Sequence, residues 1–374
     1  MKSFKKGGLH RLLSFILIAV LLVCVVGFAV GGVQLNNDIE TNSGDIGNNT
    51  ENTDEDKDNT ISGGDEAVTP SEPDEPVEEV QKFYNPVTGL ETTEEALRKT
   101  PFGFVLDPTM PLYGISGADV TFEFPLENGK TRLLSYTTNY SSLWKIGALA
   151  PTRAFISFTS NFIGGIVVSY GNDDIVKYSA WDASKIDLDI SKISDCYYVE
   201  NTLYIYTGIE SVDNARQNNE AVTGSAYKDA PYEFSDTKVI GTTDAKSVVL
   251  PYSDSNKTEF YYSAQTDKYS LYKSGIKKTD MLNGRTIEYS NIFVLFANTA
   301  TYENPNGCET VLDNTSGGSG YYISGGTATE IRWSVNESGS LEFKTLDGEI
   351  LSVNRGNAFI SYYKASEALK IRLS

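Results

Sequence analysis

Histidine is all but missing from this sequence: its 374 residues hold one, His10. That residue sits beside Arg11 at the start of a long apolar run, so everything after the run has none. Ser-His-Asp and Cys-His catalysis, histidine-ligated zinc and histidine pH switching all need an imidazole and are excluded there. Cysteine is scarce as well: beyond Cys24, inside the apolar run, there are Cys196 and Cys308. Cys196, in the strand-like DCYYVE, reads as a buried and inert thiol, and a disulfide to Cys308 is left open because pairing is not readable from sequence. No phosphate-binding loop is present: SGGSG (316–320) lacks the Gly-Lys-Ser/Thr ending and reads as a turn between strands. No cofactor and no metal follow from any motif. Basic residues are outnumbered, 31 Lys+Arg against 50 Asp+Glu, and they form no stripe, so nucleic acid is disfavoured as a partner.

What is present begins with Lys2, Lys5, Lys6 and Arg11 ahead of an apolar run from Leu12 to Val33, broken among polar residues only by Ser14. A run of 22 residues can cross a hydrocarbon core, and the basic flank places its start in the cytosol. Cleavage near Ala29-Val30-Gly31 and lipid attachment at Cys24 are the competing fates. The length of the run, with Val23 before Cys24 and Val25-Val26 after it, favours an uncleaved signal-anchor over residues 1–33. The implied partner is the membrane, through residues 12–33, and the implied location is a single-pass cell-membrane protein with the remainder outside. Residues 34–81 then carry 15 Asp/Glu, one Lys and no aromatic residue. Such a segment cannot bury enough apolar surface to offset ordering, which predicts a disordered, self-repelling linker over 34–82. Asp54, Asp56 and Asp58 have the spacing of a calcium loop but lack its Gly and Glu, so they read as solvated acids.

From Phe83 the composition becomes globular. FGFVLD (102–107) reads as a strand. ADVTFEFPL and KTRLLSYTT flank Glu127-Asn128-Gly129, a hairpin signal in which Asn-Gly supplies positive φ. Pro151–Ser160 reads as a helix, GGIVVSYG (164–171) as a buried strand, WDASKIDLDI (181–190) as ambiguous, and CYYVENTLYIYT (196–207) as two strand pieces. After Pro231 nearly every segment reads as β, from KSVVLPY to AFISYY, with turns at Asn283-Gly284 and Asp347-Gly348. The polar gap 208–230 is the expected boundary. The expectation is an α+β fold: a mixed α/β domain over 83–230 and a β-rich domain over 231–374.

Several motifs together resemble a known family. FYNPVTGL (83–90), GISGADVTFEFPLENGKTRLLSYTT, WKIGALAPTRAF, EFYYSAQTDKYSLYKSG, NIFVLF, GSGYYISGGTATEIRWS and LDGEILSVNRGNAFISYY are similar, in order and spacing, to the YerB-like family of Gram-positive bacteria. The resemblance spans about residues 83–372. It implies exported, membrane-tethered domains on the outer face of the cell and no assigned reaction. This chain departs from the family pattern at Ala150, where the family segment carries a first arginine, and near Ser169 and Leu203, where it carries histidines.

The polar set matched to the family is Asp107, Glu123, Arg132 and Arg153. Asp107 ends a strand and also starts an Asp-Pro turn. Glu123 alternates with Phe122 and Phe124, so it shares a face with Thr121, and Arg132 across the hairpin is a candidate cross-strand partner. Arg153, beside a helix start, either binds an anion or ties an interior carboxylate such as Asp107 or Glu123. The leading reading is a non-enzymatic binding or interaction module of the cell envelope, with cell-wall or envelope proteins as partners. Its rival is a degenerate hydrolase acting on cell-wall material through Asp107 and Glu123. A third, an envelope protein with a tyrosine-rich contact face, rests on pairs such as Tyr261-Tyr262, Tyr321-Tyr322 and Tyr362-Tyr363. Convergence of the four charged residues in one open cleft would mark a site; a closed, mutually paired cluster would mark a structural role.

Overall fold

Asn128 and Gly129 both hold positive φ, 58° and 68°, and so reverse the chain between Val120–Pro125 and Thr131–Thr137 as the Asn-Gly signal predicts. This hairpin is the middle of the molecule. The computed structural model describes residues 81–374 apart from 175–185, 202–203 and 306. The expected signal-anchor, nearly all of the acidic linker, and positions 181–185 and 203 lie outside the described residues. Among the described residues no helix is long and apolar enough to cross a membrane.

Around the hairpin runs a sheet of 11 described strands. On one side Thr131–Thr137 pairs antiparallel with Phe102–Leu106, which pairs parallel with Ile166–Ser169, followed by Asp187–Asp189. On the other side Val120–Pro125 pairs parallel with Ala358–Lys364, and that strand pairs parallel with Asn291–Ala297. Gly318–Ser324 and Thr327–Val335 continue outward. The sheet therefore passes through the boundary expected near residue 230, and Val77–Ser374 form one compact unit. The runs FGFVL, IVVS and NIFVLFA are apolar at almost every position because both faces of this sheet are covered.

One face packs against a six-stranded sheet that includes Ser247–Pro251, Lys257–Ser263 and Lys268–Lys273. Phe104, Ile292 and Phe359 meet Val248, Phe260 and Leu271 there. The other face buries Phe122, Phe124, Tyr136 and Phe293 with Phe155, Tyr232, Trp333 and Tyr362. At about 1.5–3 kcal/mol per buried large apolar side chain, these two cores dominate the stability. Tyr362 and Tyr363 point to opposite faces and both are buried, whereas Tyr261 keeps 40% exposure.

The fold is mostly β, which corrects the expected mixed α/β first part. Its described helices are short: Glu94–Arg98, Ala154–Ser157, Ser160–Ile163 and Ile209–Gln217. The helix expected over 151–160 starts at Ala154 and is interrupted, because the Thr159 amide bonds the Ile156 carbonyl at 3.1 Å, one residue too near. The gap 208–230 holds the last of these helices, which buries only Val212 and Ala215 and so shows almost no apolar period. A hairpin of Thr299–Asn304 and Gly307–Leu312 also goes beyond the expectation. Cys196 and Cys308 are both free; burial pushes the Cys196 thiol up, in keeping with an inert residue.

Candidate functional site

The hairpin register decides the fate of the four candidate residues. Glu123 stands opposite Leu133, and Arg132 stands opposite Phe124. Directly opposed residues share a face, so Glu123 and Arg132 lie on opposite faces of the sheet and the expected cross-strand pair does not form. Glu123 shares its face with Thr121, as alternation predicts, and this face looks onto the six-stranded sheet. It is fully buried and bound by Lys273 Nζ at 2.9 Å, Thr258 Oγ1 at 2.7 Å and Tyr252 OH at 3.1 Å. Lys273 is 6% exposed and donates also to Thr131 and Thr258 at 3.1 and 2.8 Å, so its three N–H groups are all used. Tyr252 is held well above the ordinary phenol range, first by burial and then by the Glu123 charge.

The other three candidates come together on the opposite face. Arg132 lies 3.6 Å from both Asp107 and Asp173 and donates to the Pro151 carbonyl at 3.3 Å. Arg153, 3% exposed, is gripped by Asp173, by Glu127 at 3.1 Å and by Glu309 at 3.4 Å. Burial lowers the Arg153 pKa, but those carboxylates more than reverse it and the net shift is upward. Asp174 accepts the Ala154 amide at 3.0 Å. Burial, with Glu309 close by, pushes it up to about 6. Asp187 is pushed up to about 7, by burial first and then by Asp174 and Asp189. Acid thus exceeds base in this cluster, and the excess is accommodated by carboxyls that hold their protons longer. Ala150 is buried and the Ser169 hydroxyl is buried without a hydrogen-bond partner, so the positions where the family pattern has polar groups add none here.

Of the two arrangements, convergence in one open cleft is therefore not the one that forms. Glu123 is neutralised on one face, while Asp107, Arg132 and Arg153 form a closed network on the other. Asp107 and Glu123 do not face each other across open space, as a carboxylate-pair hydrolase requires. Among the described residues no group of Cys, Asp or Glu is arranged to hold a metal ion.

An open cleft of about 720 Å³ does lie at the hairpin tip. Its walls are the turn Asn128-Gly129-Lys130, the loop from Pro108 to Leu112, the turn around Ser253–Asn256 and the segment from Lys273 to Met281. Gly129 is required in this wall: a Cβ there would come within 2.5 Å of the Ser253 Cβ and 2.7 Å of the Tyr252 carbonyl. Ser274 and Gly275, with φ of 50° and 80°, turn Lys268–Lys273 back into Ile276–Lys277 and bring Lys277 and Lys278 to the mouth. Four lysines line the cleft, Lys130, Lys273, Lys277 and Lys278, and no Asp or Glu does. Lys278 donates to the Met110 carbonyl at 3.0 Å, and burial followed by the Lys273 charge lowers its pKa. Ile276 and Met281 stand 69% and 55% exposed at the rim. The sequence analysis passed over these lysines. The signal was KSGIKK, a cluster of cations around a tight turn with no acid among them.

Residues 248–360 match the family model described as "Protein of unknown function (DUF3048) C-terminal domain". The chain is 22% identical over 287 residues to "Putative lipoprotein YerB" of Bacillus subtilis (strain 168), covering 74% of this chain and 82% of that protein. It also superposes on the crystal structure of the YerB protein from Bacillus subtilis with a TM-score of 0.65 at 20% identity, over 78% of this chain and 100% of the other. The matched C-terminal segment holds most strands of the six-stranded sheet and the lysine turn of the cleft, while the hairpin tip that faces them comes from the earlier part of the chain. Residues 248–360 thus match the DUF3048 C-terminal domain model, and the chain is similar to YerB in sequence and in fold.

Proposed function

We propose that this chain is a membrane-tethered binding module of the bacterial cell envelope that receives its ligand in the lysine-lined cleft and performs no reaction there. The carrying observation is the contrast in charge pairing: the candidate acids are each bound to a cation, while the open cleft presents lysines with no carboxylate in its lining. A volume of about 720 Å³ lies in the range of small-ligand sites. The tether is residues 12–33; the lipoprotein name of the Bacillus relative supports membrane attachment, though by a different anchor.

The test is co-sedimentation of the full-length chain with isolated cell-wall and membrane fractions, wild type against Met281→Trp. The exposed Met281 side chain is at the rim, so an indole there fills the mouth without touching the core. Binding drops several-fold in the variant at unchanged thermal stability. Equal binding by both proteins, or release of wall fragments that depends on Asp107 or Glu123, overturns the proposal.

A further inference from the structure

We infer that the cleft recognises a phosphate ester carried on a molecule with an apolar part. This rests on the cleft reading above and adds the chemistry of the ligand. Among the described residues Lys130, Lys277 and Lys278 have no carboxylate within ion-pair distance, in a chain where Asp and Glu outnumber Lys and Arg by 50 to 31. Elsewhere among the described residues some lysines take acidic partners, Lys145 with Glu200, Lys238 with Asp267 and Lys344 with Glu342, and others such as Lys246 and Lys268 stand singly; the cleft differs in gathering three lysines without a carboxylate partner around one concavity. Three unpaired ammonium groups around one concavity leave a positive field that an anion can neutralise.

The type of cation narrows the anion. No arginine lines the cleft, so the planar fork that grips a carboxylate or a phosphate in two parallel hydrogen bonds is missing, and an anion there meets ammonium groups alone. Lysine is a point charge with rotatable donors and suits the tetrahedral oxygens of a phosphate, whose charge has no preferred plane. Lys278 has one N–H engaged with the Met110 carbonyl, which leaves donors for a ligand deeper in the cleft. Its ammonium is held below the usual lysine range by burial and by Lys273, against the opposing charge of Asp107. Lys273 gives no donor, since Glu123 and two threonines use all three, and it stands as a fixed wall. The apolar part follows from the rim, where Ile276 and Met281 are exposed beside Pro108, Met110 and Pro111. A free inorganic ion would leave that surface unused.

Two sources share this chemistry: the headgroup of an anionic phospholipid, and a soluble phosphodiester. The experiment separates them. Calorimetric titration of the full-length chain uses glycerophosphoglycerol as the soluble probe, and flotation uses phosphatidylcholine vesicles with and without phosphatidylglycerol. Every arm is repeated with Lys130→Gln/Lys277→Gln, so that insertion of the anchor cancels between the two proteins. The double variant binds at least one of the two probes about tenfold more weakly than wild type, and the wild-type affinity falls with added salt. Loss confined to the vesicles identifies a bilayer headgroup, and loss with the soluble diester identifies a free one. Equal binding of citrate and the diester, or an unchanged double variant, overturns the phosphate assignment. If Met281→Trp loses envelope binding while the lysine variant keeps it, the cleft stands and its phosphate chemistry falls. If neither variant changes anything, both fall.

Discussion

The two flanks of the hairpin tip at Glu127–Lys130 handle charge in opposite ways. On one flank Glu127 reaches Arg153, and two arginines are enclosed by Asp107, Asp173, Glu127 and Glu309 until no cation is left over. On the other flank Lys130 faces Lys277 and Lys278 across an open cleft that no Asp or Glu lines. A few residues of one turn supply both. Buried charges must be paired, whereas exposed ones are free to remain unpaired and meet something from outside. The difference separates the part of the charged inventory that holds the fold from the part that can act.

The sharpest way to break the comparison is at the enclosed pairs. Lys273→Met strands the fully buried Glu123 and costs about 3–5 kcal/mol in denaturant unfolding, while adding Glu123→Gln recovers most of the loss. Arg153→Met costs about 3 kcal/mol by the same measurement, and Arg153→Lys does not restore it, because one ammonium cannot span Glu127, Asp173 and Glu309.

The excess acid of that flank gives a pH signature. Asp174 and Asp187 are raised to about 6 and about 7 in the fold. Groups with a raised folded pKa bind more protons folded than unfolded. Their stabilisation is therefore complete below the ordinary aspartate value of about 4 and is lost as pH climbs through 6 and 7. Asp187→Asn is expected to gain about 1–3 kcal/mol near pH 8 and to flatten the curve of unfolding midpoint against pH. Gly129→Ala forces a side chain into positive φ and against Ser253; a cost of about 1–3 kcal/mol by thermal unfolding is expected, with the cleft wall displaced. Smallest of all is the effect of Lys130→Gln/Lys277→Gln on stability, within about 0.5 kcal/mol, since both side chains are exposed. If that variant unfolds the protein instead, the cleft lysines belong with the enclosed group and the comparison collapses.

Much of the framework was legible residue by residue. Glu127-Asn128-Gly129 announced the hairpin, and the apolar runs at 102–106, 166–169 and 291–297 announced buried strands. Alternation placed Glu123 with Thr121 and away from Phe122 and Phe124. Its partner was out of reach, because Lys273 lies 150 residues further along and nothing local links them. Arg153 read as a tie between interior acids or as an anion binder, and the geometry makes it a tie; the acids it meets are Glu127, Asp173 and Glu309 rather than Asp107 or Glu123. The cross-strand Glu123–Arg132 pair failed because hairpin register turns on one residue, and one residue moves a side chain to the other face. The cleft escaped because its walls come from four separated segments that only tertiary packing joins.

The parallel seam between Val120–Pro125 and Ala358–Lys364 carries a consequence for timing. The hairpin can form early from local contacts, but the edge it offers finds its neighbour only once Ala358–Lys364, far along the chain, has been synthesised. Long-range parallel pairing is slow to nucleate, and an open strand edge attracts foreign strands while it waits. A chain cut before Ala358 keeps a bare edge at its centre and is headed for aggregation instead of a working half.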